Sequence, residues 1–196
     1  MSQDAKTLSA LGSLFIVISP ILFLIPILSG ILSLAGAVLF LIGLSKISNS
    51  VNEPKMFSQG LWAILLPLIV SFIAVMIIGV TIVAAAISFG LAVGSTQITE
   101  NIDLQTIISL MSGVGIVGLI IIILCFISIW VSVIIYGLKM NTVSELLNKH
   151  FPEMEFKVAG TLFKIGGWLS ILLVGGLLIW IAWILYTVKF FQAKAS

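Results

Sequence analysis

From Leu8 to Ile47 the chain runs forty residues and meets a single charged side chain, Lys46, near the end. As one helix this block is about 60 Å long, twice the hydrocarbon thickness of a bilayer. Two helices joined by a tight turn resolve the excess. Ser29-Gly30 is the turn signal at the middle, so helices are expected at about 8–28 and 31–47. Pro20 and Pro26 each remove a backbone donor in the second half of the first helix, which predicts a kink there. A re-entrant hairpin that never crosses is the alternative for this block. Composition excludes a soluble fold: 61% of the residues are hydrophobic and 8% charged, against about 25% charged in soluble domains.

The remaining chain alternates apolar runs with polar breaks. A polar linker, Ser48–Gly60, carries Asn49, Asn52, Glu53, Pro54 and Lys55. A third helix is expected at about 61–89, with Pro67 in its second turn. Gly90–Leu104 holds Glu100 and Asp103 but no lysine. The fourth run, about 105–138, is too long for a perpendicular span, so it tilts or divides at Gly113, Gly115 and Gly118. A polar cytoplasmic loop at 139–160 follows. In it Thr142 and Glu145 have capping-box spacing and Pro152 closes the run, which predicts a short interfacial helix; continuation of helix four is the alternative. The fifth helix is expected at about 165–188. The fold class is therefore all-α: residues 1–196 form a single transmembrane domain, a polytopic transmembrane helix bundle of about five transmembrane helices with an N-terminal helical hairpin.

Every basic residue is a lysine, and their placement orients the chain. With alternating spans, Lys6, Lys46, Lys55, Lys139, Lys149, Lys157 and Lys164 share one side, against Lys189 and Lys194 on the other. That bias predicts a multi-pass protein of the cell membrane with a cytoplasmic N-terminus and an external C-terminus. The N-terminus does not read as a cleavable signal: Asp4 offsets Lys6, and no Ala-x-Ala site follows the apolar stretch.

Chemistry is poorly represented. Charge at mid-bilayer costs several kcal/mol and marks transport or catalysis when it occurs; the helix centres hold none. Lys164 lies a turn inside the cytoplasmic edge, where it snorkels. His150, the one histidine, has Glu145, Glu153 and Glu155 nearby in sequence, but zinc needs three or four converging ligands, so a solvated histidine is expected. Cys125 sits in an apolar run and reads as a small buried residue. No Ser-x-x-Lys, His-Glu-x-x-His, Walker or dinucleotide motif occurs. Catalytic, cofactor-binding and metal residues are thus expected to be none, and no enzyme is predicted. A net charge of +2, dispersed over lysines, excludes nucleic acid as a partner.

Packing signals are stronger. Ser29, Ser33 and Ala37 recur four apart, Gly36 and Gly43 seven apart, and Gly90 and Gly94 form Gly-x-x-x-Gly; such faces let helices approach closely in lipid. Gly166-Gly167 and Gly175-Gly176 are read as packing positions inside one helix. Trp62, Trp168 and Tyr136 at one level, with Trp180, Trp183 and Tyr186 at the other, predict an aromatic belt. Thr7-Leu8-Ser9-Ala10-Leu11-Gly12 and Thr161-Leu162-Phe163-Lys164-Ile165-Gly166 are similar for one turn, which is read as coincidence.

Several segments carry a likeness to a known family. Lys6-Thr7-Leu8 with Leu11-Gly12-Ser13, then Gly30-Ile31-Leu32-Ser33-Leu34-Ala35-Gly36 and Leu44-Ser45-Lys46-Ile47-Ser48, resemble an uncharacterised archaeal multi-pass membrane protein family, domain of unknown function nine hundred ninety-six. So do Phe156, Ala159-Gly160-Thr161-Leu162, Ile165-Gly166-Gly167 and Val174-Gly175. The resemblance implies an archaeal cell membrane and a multi-helix fold, and supplies no activity or site residues.

The expected function is that of a non-catalytic integral membrane protein, an accessory or scaffolding subunit of a membrane protein complex. Its partners would be the lipid bilayer and other membrane protein subunits, or itself by self-association. The alternative is a small transporter or channel with a pathway lined by Ser, Thr and backbone, supported by the kinked first helix and the glycine-rich fourth. An intramembrane enzyme or redox subunit lacks ligands.

Overall fold

The computed structural model describes residues 2–22, 25–95, 104–172 and 174–193, with the side chains of 89–114 left aside. Six α-helices are present among them: α1 (Gln3–Ile18), α2 (Pro26–Ser50), α3 (Pro54–Ser95), α4 (Leu104–His150), α5 (Phe156–Trp168) and α6 (Val174–Gln192). Short 3₁₀ turns follow α1 (Ser19–Leu22), α4 (Pro152–Met154) and α5 (Leu169–Ile171). No strand occurs among the described residues. Five helical segments are long and apolar enough to cross a membrane: Gln3–Leu22, Pro26–Ser50, Pro54–Ser88, Gly115–His150 and Val174–Gln192. The all-α class, the five span-like helices and the opening hairpin are as the uncharged runs require.

Local chemistry explains where the helices start. The Ser2 hydroxyl accepts from the Ala5 amide (3.4 Å) and caps α1. Pro26 and Pro54 open α2 and α3, where a missing N–H leaves no carbonyl unsatisfied. This shifts the first reversal. The break comes between Leu22 and Pro26 instead of at Ser29-Gly30, because Pro20 ends α1 and Pro26 begins α2. Ser29 and Gly30 lie inside α2, and the Ser29 hydroxyl donates back to Ser19 O (2.8 Å).

Two further differences from the sequence expectation have clear causes. The predicted interfacial helix at 139–160 gives way to a continuous α4 that runs to His150. Thr142 and Glu145 do not cap a new helix: the Thr142 hydroxyl donates to Leu138 O (3.2 Å), and Asn141 Nδ2 donates to Glu145 (2.8 Å). The helix predicted at 165–188 is broken in two. After α5 the chain turns at Leu169–Ile171 before α6 begins at Val174, and a Cβ at Gly175 would collide with Leu169 C and Ser170 N. Only glycine permits that approach.

The chain divides into two compact units, residues 1–67 with 132–196, and residues 68–131. The first holds α1, α2, α5, α6, the opening of α3 and the end of α4. One end of this unit gathers the charges: Lys46 pairs with Asp4 (3.6 Å), Lys149 with Glu53 (3.9 Å) and Lys189 with Glu155 (3.5 Å). The start of α1 and the end of α6 therefore lie at the same end. Five alternating spans would place the two termini on opposite sides; here the extra reversal between α5 and α6 turns the chain back to the end where α1 starts. The second unit holds α3 from Leu68 to its end and α4 from its start to Val131. It begins just after Pro67, which removes a backbone donor from the interior of α3. Gly90, Gly94, Gly113, Glu100 and Asp103 lie outside the described side chains.

Candidate functional site

The first unit is built around seven aromatic rings: Phe40 from α2, Tyr136 from α4, Phe156 and Phe163 from α5, and Trp183, Tyr186 and Phe190 from α6. Phe40 meets Trp183 edge-on at 4.9 Å, and Phe163 meets Tyr186 at 5.4 Å and 80°. Edge-to-face pairs of this kind contribute about 0.5–1.5 kcal/mol each beyond area burial. Trp183, Tyr186 and Phe190 fall three and four residues apart on α6, so one helical face supplies three rings. The belt expected from Trp183 and Tyr186 is corrected on this point: both are buried core residues. Trp62 and Trp168 stay exposed, as a belt requires.

Polar atoms in this core are matched to one another. The Ser144 hydroxyl lies 2.6 Å from the Tyr186 hydroxyl and donates to Met140 O (2.8 Å), which leaves Tyr186 as the donor of the pair. Trp183 Nε1 donates to the Tyr136 hydroxyl (2.7 Å), Thr187 Oγ1 to Trp183 O (2.9 Å), and Trp180 Nε1 to Val17 O (2.9 Å). Lys139 Nζ donates to Gln59 Oε1 (3.0 Å). In an apolar interior such groups stay only when paired. The Ser9 hydroxyl is the contrast, buried against Gly43 with no partner among the described residues.

Glycines set the helix spacing. A Cβ at Gly12 would stand 2.7 Å from Gly36 O and press on Phe40 N; one at Gly166 would stand 2.9 Å from Gly175 O. The short likeness between residues 7–12 and 161–166 thus ends, in both copies, on a glycine that meets a glycine carbonyl of the following helix. At Gly137 the contact is with Phe163 O, where α4 passes α5.

The residues singled out for chemistry are dispersed. His150 Nε2 lies 3.9 Å from Glu53 Oε2 and makes no hydrogen bond. Glu145 is bonded to Asn141 and Glu155 is paired with Lys189, so the sequence neighbours of His150 do not converge on it. Glu53, which does, was hidden by nearly a hundred residues of separation. Lys164 is exposed on α5. No group of three His, Cys, Asp or Glu among the described residues could hold a metal. In the second unit Cys125 is buried and lines a groove of about 470 Å³ with Val70, Ile73, Ala74, Ile121 and Leu124. Ser128, also on the groove, donates its hydroxyl to Leu124 O (2.8 Å).

Fold and core together define a multi-helix protein of the membrane-spanning type, with an aromatic and glycine-packed interior. The chain belongs to the family described as "Protein of unknown function (DUF996)", which residues 32–184 match. An uncharacterized protein of the archaeon Methanocaldococcus jannaschii is 28% identical to it over 193 residues, 97% of this chain and 92% of the relative. No solved structure matches it. The family resemblance read from the glycine and leucine segments therefore holds. The family match itself begins at residue 32, beyond the Lys6–Ser13 stretch.

Proposed function

We propose that the protein is a non-catalytic integral protein of the cell membrane, an accessory or scaffolding subunit that packs against partner membrane proteins or further copies of itself. Its lysine-bearing end and N-terminus face the cytoplasm, following the charge bias of membrane proteins. The observation that carries this reading is the surface of the second unit. Of its described side chains, only Ala74 and Cys125 among the hydrophobics are buried, while Phe72, Val75, Val80, Ile82, Ile116 and Phe126 stand more than half exposed. On these helices Gly79 and Gly115 leave open notches: a Cβ at either would meet nothing within 4 Å. Helix association in lipid depends on such close-fitting small positions, since lipid tails are as apolar as the side chains.

The first unit supports the same reading from the other direction. Its core hydroxyls and indole donors are largely engaged with one another, so the interior serves packing rather than ligand capture. The test is extraction into lipid nanodiscs or mild detergent followed by native mass spectrometry. A stoichiometric partner or a defined homo-oligomer is expected. A strictly monomeric species without companions overturns the proposal.

A further inference from the structure

We propose that only α3 and α4 cross the bilayer completely, and that α1–α2 and α5–α6 enter and leave it through the lysine-bearing face, their tips ending in hydrocarbon. The inference stands on lengths, charges and the chemistry of the tips. The ion pairs Asp4–Lys46, Glu53–Lys149 and Glu155–Lys189 fix the near ends of all three hairpins at one end of the first unit. From that charged rim the shorter members do not reach across. Beyond the exposed Lys164, α5 and its 3₁₀ turn supply only Ile165–Ile171, about 11 Å of helix. On α6, Val174–Val188 gives about 22 Å before Lys189, and on α1 the stretch Thr7–Leu22 gives about 24 Å. Each of these uncharged stretches is shorter than the ~30 Å hydrocarbon layer, which α1 and α6 match only when their charged ends are counted. The uncharged part of α2, Pro26–Ser45, reaches about 30 Å, so α1, α5 and α6 limit the depth of the two hairpins. By contrast, α3 is free of charge from Met56 to Ser95, about 60 Å, and α4 from Leu104 to Leu138, about 52 Å.

Charge decides between a short crossing and a blind hairpin. Were the α5–α6 reversal to sit at the far surface, Lys164 would lie close to the bilayer midplane, at a cost of about 2.5–3.5 kcal/mol. The tips are also unlike water-facing loops. Ile21, Ile25 and Ile27 on the first, and Ile171, Leu172 and Val174 on the second, are all more than half exposed. Their polar groups are tied inward: Ser29 Oγ to Ser19 O (2.8 Å), Ser170 Oγ to Gly167 O (2.7 Å), and the amides of Ile25, Leu172 and Gly175 to Leu22, Leu169 and Leu172 carbonyls. Backbone that lies in hydrocarbon must satisfy itself in this way. The sequence joining α3 to α4 is the opposite in kind, with Thr96, Gln97, Thr99, Glu100, Asn101 and Asp103.

Cysteine labelling of the full-length chain tests this directly, because Cys125 is the one native thiol. In a Cys125→Ala background, single cysteines are placed by Ser2→Cys, Gln192→Cys, Ser95→Cys, Leu172→Cys and Ile27→Cys; Ser2 and Gln192 are exposed. Cells are treated with a membrane-impermeant maleimide, intact or after permeabilisation, and then in detergent. The proposal expects Ser2→Cys and Gln192→Cys to label from one side, Ser95→Cys from the other, and Leu172→Cys and Ile27→Cys only in detergent. Labelling of either tip variant from the side that labels Ser95→Cys overturns it, as does labelling of Ser2→Cys and Gln192→Cys from opposite sides. If the termini label in intact cells and Ser95→Cys only after permeabilisation, the hairpin arrangement stands and the cytoplasmic orientation given under the proposed function fails. Two tip positions on different hairpins keep the test decisive should one variant not accumulate.

Discussion

Ser144 on α4 and Tyr186 on α6 meet hydroxyl to hydroxyl at 2.6 Å, both fully buried, with forty-two residues of chain between them. Neither oxygen has water to fall back on, so the pair ties α4 to α6 alongside the Trp183–Tyr136 bond.

Tyr186→Phe keeps the ring contacts and removes only this donor. A loss of about 1 kcal/mol is expected, the ordinary net worth of such a bond. Tyr186→Ala also empties a site contacted by Phe40, Phe156, Phe163, Trp183 and Phe190, and about 3–5 kcal/mol is expected. Thermal unfolding in one fixed detergent or nanodisc separates the two; equal losses would show that the hydroxyl dominates and the ring does not.

Gly12→Ala and Gly30→Ala form a matched pair. At Gly12 the new methyl meets backbone atoms of Gly36 and Phe40, which cannot rotate away, so α1 and α2 must separate and stability falls by several kcal/mol. At Gly30 the methyl meets nothing within 4 Å, inside helix α2, and alanine stabilises by up to about 1 kcal/mol. A shared response of the two variants would contradict the close crossing at Gly12.

Glu155 sets a backbone cost against an ion pair. Its φ of 48° is left-handed, a conformation that costs a side-chain-bearing residue about 1–2 kcal/mol and glycine little. Its carboxylate, three-quarters exposed, pairs with Lys189 at 3.5 Å, and exposed pairs are worth about 0.2–1 kcal/mol. The backbone term is larger, so Glu155→Gly should raise the unfolding temperature and Glu155→Gln lower it slightly. A destabilised Glu155→Gly would place the value of Glu155 in its charge.

Ser9→Ala should be neutral or stabilising, because the hydroxyl it removes is buried without a partner. Gly79→Leu tests the proposed partner surface. A Cβ there would meet nothing within 4 Å beyond its own stretch of helix, so the fold is expected to remain while the native-mass assembly weakens. An assembly unchanged by Gly79→Leu would move the contact surface elsewhere.

Much of the architecture is legible in where charges are absent. The uncharged runs require helices in lipid, and Pro26 and Pro54 mark helix starts in plain sight. The reversal between α5 and α6 is harder to read, because Leu169–Val174 carries no proline, charge or turn dipeptide. Its signal is Gly166 and Gly175, whose meaning depends on backbone contacts across the turn. Trp183 and Tyr186 are ambiguous for a different reason: indole and phenol rings suit both a bilayer interface and a core with one polar partner. The three-four spacing of Trp183, Tyr186 and Phe190 favours the core, and Phe40 and Phe163 complete it. The Glu53–His150 approach has no local signature at all, since it arises only when α3 and α4 return to the same end.

Phe40 rests on rings of Trp183, Tyr186 and Phe190, all supplied by the last helix. A ribosome makes Phe40 more than 140 residues before any of those three. The opening hairpin therefore leaves the translocation machinery with its central side chain uncovered, and stays so until the closing helix arrives. A chain truncated before α6 would strand that ring against lipid and should be cleared by the quality-control proteases of the cell.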